Sequence, residues 1–515
     1  MKQDDFFEVD LSDIFDDLPE EEANQNEEAA KQNDDNSQKK LNKRITVCSY
    51  ASLFVFVLLI GYVVIFLMSD NSEMLSNPYN AKRQDLMVDK VVRGGIYTSD
   101  DKCIAKTVVD KKGNERREYP CNNLFSHVAG YADYGKTGIE YTYNMYMLTS
   151  DINPVYAAVT ELKGDKNPGN NIITSLDYDV QKVIYDALGN RKGAAIAMEP
   201  DTGRIIAMVS KPDFNPNTIE NDWEELTKED DDSALLNRAT QGLYPPGSTF
   251  KLVTLIEYMR ENSDYKKFEY ECKGKDELSD ASIKCYKSKK HGKLDVKSAF
   301  AKSCNCAFAK MGTSLDIQSL DKLCDSLLFN KSMNCKFEYK SSSFELGKNS
   351  DSHEVVQTTI GQGKTMISPL HNAILVSMIA NGGYIVKPTL VDKIENVAGR
   401  EVKTFSIADV KDFINEKSQK VLNDDEVKYI DKCMKETVKS GTATLLSGQN
   451  YKAGGKTGSA EYDSTGASHA WFIGYAELEG KKLAVSIIVE GVGTGSDYAV
   501  PIAKKIFDKY YAKNI

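Results

Sequence analysis

From Ile45 to Met68 the chain runs ITVCSYASLFVFVLLIGYVVIFLM without one charged side chain. That length of apolar helix spans the ~30 Å hydrocarbon core of a bilayer, and a helix satisfies its own backbone hydrogen bonds there. Lys39, Lys40, Lys43 and Arg44 precede the run and Asp70 and Glu73 follow it. The excess of basic residues on the N-terminal side predicts a cytoplasmic N-terminus, with everything from about residue 70 outside the membrane. The run is too long and starts too far into the chain for a cleaved leader.

This topology divides the charge. The formal net charge is −11, but residues 1–44 hold fourteen acidic and six basic residues, so only −3 remains for the rest. The outer part carries no basic stripe for nucleic acid. Residues 1–44 are predicted to be a cytoplasmic, acidic, disordered tail. Within it Phe7, Leu11, Ile14 and Leu18 recur at helical spacing, which suits either an amphipathic docking helix or a solvated tail. Outside the membrane cysteines read first as disulfides, and Cys103 with Cys121, Cys272 with Cys285 and Cys324 with Cys335 are the local pairings. Five histidines, none at short metal-ligand spacing, give the expectation of no metal site and no cofactor.

The outer chain is expected to form a small pedestal, 69–170, and a larger unit, 171–515. In the latter a helix is predicted over 179–188. GAAIAME (193–199) and RIIAMVS (204–210) flank a Pro-Asp-Thr-Gly turn as one hairpin. AWFIGYAEL (470–478) and KLAVSIIVE (482–490) make a second, and an amphipathic helix over 499–511 closes the chain. An antiparallel sheet built from both ends of a domain, with 220–450 as a mainly helical insertion, is an α+β layout with helices packed on a sheet.

In Tyr244-Pro-Pro-Gly-Ser-Thr-Phe-Lys251, followed by the apolar LVTLIEYM, Ser248 is predicted at a helix N-terminus with Lys251 one turn on. Residues at i and i+3 share a helix face. A lysine in apolar surroundings has its charged form disfavoured and can serve as a general base for a neighbouring hydroxyl, and a helix N-terminus favours a developing oxyanion. Alone the spacing is weak: Ser37/Lys40, Ser99/Lys102 and Ser319/Lys322 repeat it. Ser303-Cys304-Asn305 has look-alikes at Ser69-Asp70-Asn71 and Ser332-Met333-Asn334, and Lys456-Thr457-Gly458 has one at Lys136-Thr137-Gly138. Gly130 to Thr137 also satisfies the phosphate-loop pattern, but LFSHVA is a poor strand to precede it.

Order decides among these, because Ser-x-x-Lys, Ser-x-Asn and Lys-Thr-Gly occur together in penicillin-binding proteins. The chain resembles those of class B from about Arg93 onward: in VRGGIY (92–97), KGAAIAMEPDTGRIIAMVSKPDFNPN (192–217), NRATQGLYPPGSTFK (237–251), Cys272, the Cys285 to His291-Gly292 stretch, SCN (303–305), TTIGQGKTMISPL (358–370) and GGKTGSAE followed by HAWFIGYAE. The resemblance implies the penicillin-binding transpeptidase fold on an extracytoplasmic pedestal behind one transmembrane helix. It implies a peptidoglycan D,D-transpeptidase acylated by β-lactams. Ser248 would be the nucleophile, Lys251 its base, and Ser303 and Asn305 the proton relay and substrate-orienting pair. Lys456 and Thr457 would hold the terminal carboxylate, and the N–H groups of Ser248 and Ser459, the latter on the strand edge after Gly458, the oxyanion. The implied partners are stem peptides, β-lactams, a membrane glycosyltransferase and other wall-synthesis proteins. A D,D-carboxypeptidase, a β-lactam sensor and a catalytically silent wall-synthesis scaffold are the competing readings.

Overall fold

A computed structural model describes residues 20–68, 87–228, 233–278, 281–405, 420–461 and 468–512. The docking-helix motif Phe7 to Leu18 lies outside the described residues. The chain divides into two units, Met1–Asn77 and Pro78–Ile515.

In the first unit the apolar run sits in a single helix, α1 (Glu20–Met68), of which Gln38–Ile65 is long and apolar enough to cross a membrane and has no residue buried in protein. The helix therefore starts well before the span, inside the stretch expected to be disordered. EEEANQNEEAAKQ is rich in strong helix formers, and extending an existing helix avoids the cost of a new nucleus.

The second unit contains the strands β1 (Ile96–Tyr97), β2 (Cys103–Val109), β3 (Glu115–Glu118), β4 (Asn171–Thr174), β5 (Gly193–Met198), β6 (Ile205–Lys211), β7 (Val391–Glu395), β8 (Glu401–Thr404), β9 (Lys452–Glu461), β10 (Ser468–Leu478) and β11 (Lys481–Val489). The site-bearing sheet has the order β9-β10-β11-β5-β6, antiparallel throughout. Both predicted hairpins are present, and β9 is added at the edge. β5, β6 and most of β10 and β11 are buried on both faces, because helices cover each side. On one face lie α2 (Tyr178–Leu188) and, at the end of the chain, Gly495–Ala512. Their Ile184, Ile502, Ile506 and Phe507 meet Ala195, Phe472 and Val485. The other face packs on the helical insertion, which includes α3 (Lys251–Glu261), α4 (Asn305–Gly312) and the almost wholly buried α5 (Pro369–Ala380), started by Pro369 and capped by Ser368. Each fully buried Leu, Ile or Phe in these layers stabilises by about 1.5–3 kcal/mol.

The pedestal sheet has the order β8-β7-β4-β1-β2-β3. It recruits β4 and, from within the predicted insertion 220–450, β7 and β8, so the predicted division at residue 170 is crossed by three strands. Under this sheet Glu140, fully buried, accepts from Arg93 Nε at 2.7 Å and Arg117 Nε at 2.8 Å. Burial alone would raise the Glu140 carboxyl, but the two guanidinium groups outweigh it and hold the acid below its ordinary value.

Candidate active site

Pro245 and Pro246 keep the segment before Ser248 out of helix, and Gly247 turns at φ +54° into a single 3-10 turn, Gly247–Thr249, that leads to α3. Ser248 therefore sits one turn ahead of the α-helix proper. The turn is clamped on both sides: Gly247 N–H donates to Gly361 O at 2.8 Å and Trp471 Nε1 to Pro245 O at 3.1 Å. Gly361, at φ +88°, approaches so closely that a Cβ there would stand 1.7 Å from Gly247 O. Ser248 is half-buried and opens into a groove.

Lys251, fully buried, donates from Nζ to Asn305 Oδ1 (2.7 Å) and Ser303 O (2.9 Å), with Ser303 Oγ at 3.4 Å. Lys456, fully buried on β9, donates to Ser303 Oγ at 2.8 Å and Thr457 O at 2.9 Å. Ser303 holds its hydroxyl between the two ammonium groups from a left-handed backbone, φ +54°, an uncommon conformation for a non-glycine residue. Asn305 opens α4 and donates from Nδ2 to Lys284 O at 3.0 Å, which fixes its Oδ1 toward Lys251. Burial pushes Lys251 down to about 8. Burial and the nearby charge of Lys251 push Lys456 well down too. Two ammonium groups without a carboxylate partner favour a proton shared along Lys251, Ser303 and Lys456 over two full charges.

Thr457, Gly458 and Ser459 follow along β9 and line the groove with Ser248, Ser303 and Asn305. All the motif residues except the two buried lysines thus face one cavity, and those lysines lie directly behind it. Thr442 also lines the groove, its Oγ1 2.5 Å from Thr457 Oγ1, and no motif marks it. The left-handed turn of Gly361 is legible only as the TTIGQG string.

Histidine spacing gives no metal-ligand set, and the fold gathers a candidate one. Cys272, Cys285, His291 and Cys304 bring three sulfurs and an imidazole nitrogen within 4.8 Å of one another. Cys285 Sγ is 3.8 Å from Cys272 Sγ and 3.6 Å from Cys304 Sγ, and Cys272 Sγ is 3.5 Å from His291 Nδ1. Donors around a tetrahedral ion with ~2.3 Å metal–sulfur bonds stand about 3.8 Å apart, so the set fits a structural Zn2+. Cys306 adds a further sulfur 3.5 Å from Cys285. The three expected disulfides are absent: all ten cysteines are free thiols, and Cys121 instead donates to Cys103 O at 3.4 Å. The resemblance already runs through Cys272, Cys285, His291 and Cys304, but spacing does not show them as one cluster, because they come from two β-ladders and from the Ser303–Asn305 motif itself.

The look-alike motifs within the described residues stand elsewhere. Lys136-Thr137-Gly138 starts a pedestal helix, and the phosphate-loop pattern follows a short helix rather than a strand, which removes the geometry that cradles phosphate. Ser332 and Asn334 are exposed, and Ser332 Oγ bonds to Tyr339 and donates to Asn334 Oδ1.

Three comparisons agree with this geometry. The model of the penicillin binding protein transpeptidase domain matches residues 193–508, and that of the penicillin binding protein A dimerisation domain matches 93–172. The peptidoglycan D,D-transpeptidase PbpA of Mycolicibacterium smegmatis is 26% identical over 497 residues, covering 90% of this chain and 98% of its own length. The D,D-transpeptidase domain of a peptidoglycan glycosyltransferase from Eggerthella lenta superposes with a TM-score of 0.72 at 27% identity, covering 82% of this chain and 98% of that one. An imipenem acyl-enzyme complex of penicillin-binding protein A from M. tuberculosis gives 0.72 at 25%, covering 82% and 99%. With the transpeptidase model matching more than half of its length, and the serine, the two lysines and the Ser-x-Asn pair gathered at one groove, the chain belongs to the penicillin-binding protein transpeptidase family.

Proposed function

We propose that this chain is a peptidoglycan D,D-transpeptidase that cross-links stem peptides through an acyl-enzyme on Ser248 and is blocked by β-lactams. The observation that carries the reading is the Lys251–Ser303–Lys456 chain of contacts beside Ser248. Ser248 Oγ attacks the penultimate D-alanine carbonyl while its proton passes toward Lys251. A lysine lowered to about 8 supplies a workable fraction of neutral amine near neutral pH. The C–N bond then breaks, the amine of the departing D-alanine takes a proton from the Ser303 relay, and an ester remains on Ser248. Lys456 and Thr457 hold the terminal carboxylate, and the N–H groups of Ser248 and Ser459 receive the oxyanion. The amino group of a second stem peptide attacks the ester and restores the serine.

In this reading α1 anchors the protein with the N-terminus in the cytoplasm, by the charge asymmetry about the span, and the catalytic unit acts outside. Residues 87–174, with β7 and β8, supply the pedestal in this reading. Glycan polymerisation would fall to a membrane glycosyltransferase, with other wall-synthesis proteins as partners.

The test is product analysis of full-length protein incubated with preformed glycan strands bearing pentapeptides. Cross-linked dimers that disappear in Ser248→Ala support a transpeptidase. Free D-alanine without dimers would mean a carboxypeptidase, and neither product a silent scaffold.

A further inference from the structure

One wall of the groove is strongly basic. The segment Lys284–Lys293 holds lysines at 284, 287, 289, 290 and 293. Lys284, Lys287 and Lys289, with Lys302 from beside Ser303, line the same cavity as Ser248, whereas Glu461 is the carboxylate lining it among the described residues. These four lysines are exposed, and among the described residues none forms an ion pair.

The lip is a built turn. Lys287 and Ser288 both adopt left-handed backbone, at φ +50° and +53°. The turn is closed by Ser288 N–H to Cys285 O (2.8 Å) and Lys289 N–H to Tyr286 O (3.1 Å). It rests on Gly274, where a Cβ would stand 2.3 Å from Ser288 O. Its root is tied to the reacting groups, since Lys284 O accepts from the Asn305 amide. Exposed Tyr286 adds a flat apolar surface beside these charges.

Lysines crowded on one lip without acids repel one another, and an anionic ligand relieves that repulsion while being drawn into the groove. On the transpeptidase reading above, on which this inference rests, the terminal carboxylate of the donor occupies the Lys456 and Thr457 end. The lip must then meet a different negative charge. We propose that Lys284, Lys287, Lys289 and Lys302 form a specificity site for a free carboxylate on the donor stem peptide upstream of its D-Ala-D-Ala end, so that the enzyme prefers acidic over carboxamide-capped stems.

The experiment uses the full-length protein in detergent and two pentapeptide donors that differ only in a glutamyl carboxylate or its carboxamide, with D-alanine release followed at low and high salt. Wild type is expected to turn over the acidic donor about tenfold faster at low salt, the combined effect of several exposed charge pairs, and to lose most of that margin at high salt. Lys287→Gln/Lys289→Gln is expected to lose the preference while melting at the wild-type temperature. Lys287→Arg/Lys289→Arg is expected to keep it. Equal rates for both donors in wild type, or a preference that survives the glutamine pair, would overturn the specificity site while leaving the transpeptidase intact. Failure of benzylpenicillin to acylate wild type would overturn the transpeptidase reading itself, and this inference with it.

Discussion

Lys456 Nζ donates to Ser303 Oγ at 2.8 Å across 153 positions of sequence, and the same hydroxyl stands 3.4 Å from Lys251 Nζ. The fold brings a strand edge, a helix start and a tight turn together at one hydroxyl, and the expected chemistry follows from what each group can do there.

Lys251 is buried and has no acidic partner among the described residues. Lys251→Ala is expected to remove the base while leaving a folded protein, lowering the acylation rate by about 10²–10⁴-fold. Penicillin labelling kinetics beside a melting curve would check this. Normal labelling would take Lys251 out of the base role.

Because burial lowers Lys251 to about 8, the neutral, proton-accepting form grows as pH rises toward that value. Acylation by benzylpenicillin is expected to increase close to tenfold per pH unit below about 7 and to level off above about 8. A rate independent of pH between 6 and 9 would contradict it.

Gly361 has no room for a side chain, since its Cβ would overlap Gly247 O. Gly361→Ala is expected to cost about 1–3 kcal/mol from backbone strain alone and more from the overlap. It should also displace the turn carrying Ser248, so acylation falls together with the denaturation midpoint.

The Cys272, Cys285, His291 and Cys304 donors are expected to take up about one Zn2+ per chain, raising the melting temperature with the logarithm of the excess over Kd. Thermal melts with and without Zn2+ on wild type and Cys285→Ala would test this, the variant being expected to show no shift.

Removing Glu140 leaves Arg93 and Arg117 facing each other in the pedestal. Glu140→Ala is expected to destabilise by about 3–5 kcal/mol in equilibrium unfolding, the range for breaking a buried ion pair. Since the folded-state pKa of Glu140 is depressed, this stabilisation is present above its unfolded value and fades as pH falls through the folded one.

Much of this was written locally in the chain. Ser248 and Lys251 are three apart at a Pro-Pro-Gly break before an apolar helix, and both hairpins are pairs of apolar runs around short turns. What was illegible depends on distant contacts. The glycine-rich AGGKTGSAE is expected at a strand edge only through the resemblance, and it is a strand because Gly455 and Gly474 leave space for the ring of Phe472. β7 and β8 join the pedestal through pairing with β4, from more than 200 residues away. The thiol cluster needs the two short ladders beside Cys272 and Cys285 to fold before its sulfurs meet.

The most direct test of the central claim is the intact mass of the full-length protein after incubation with benzylpenicillin, beside Ser248→Ala. A stable adduct of one drug molecule on wild type and none on the variant is the expected result. An adduct that persists in Ser248→Ala, or intact drug with unmodified wild-type protein, would contradict Ser248 as the nucleophile of an acyl-transferring enzyme.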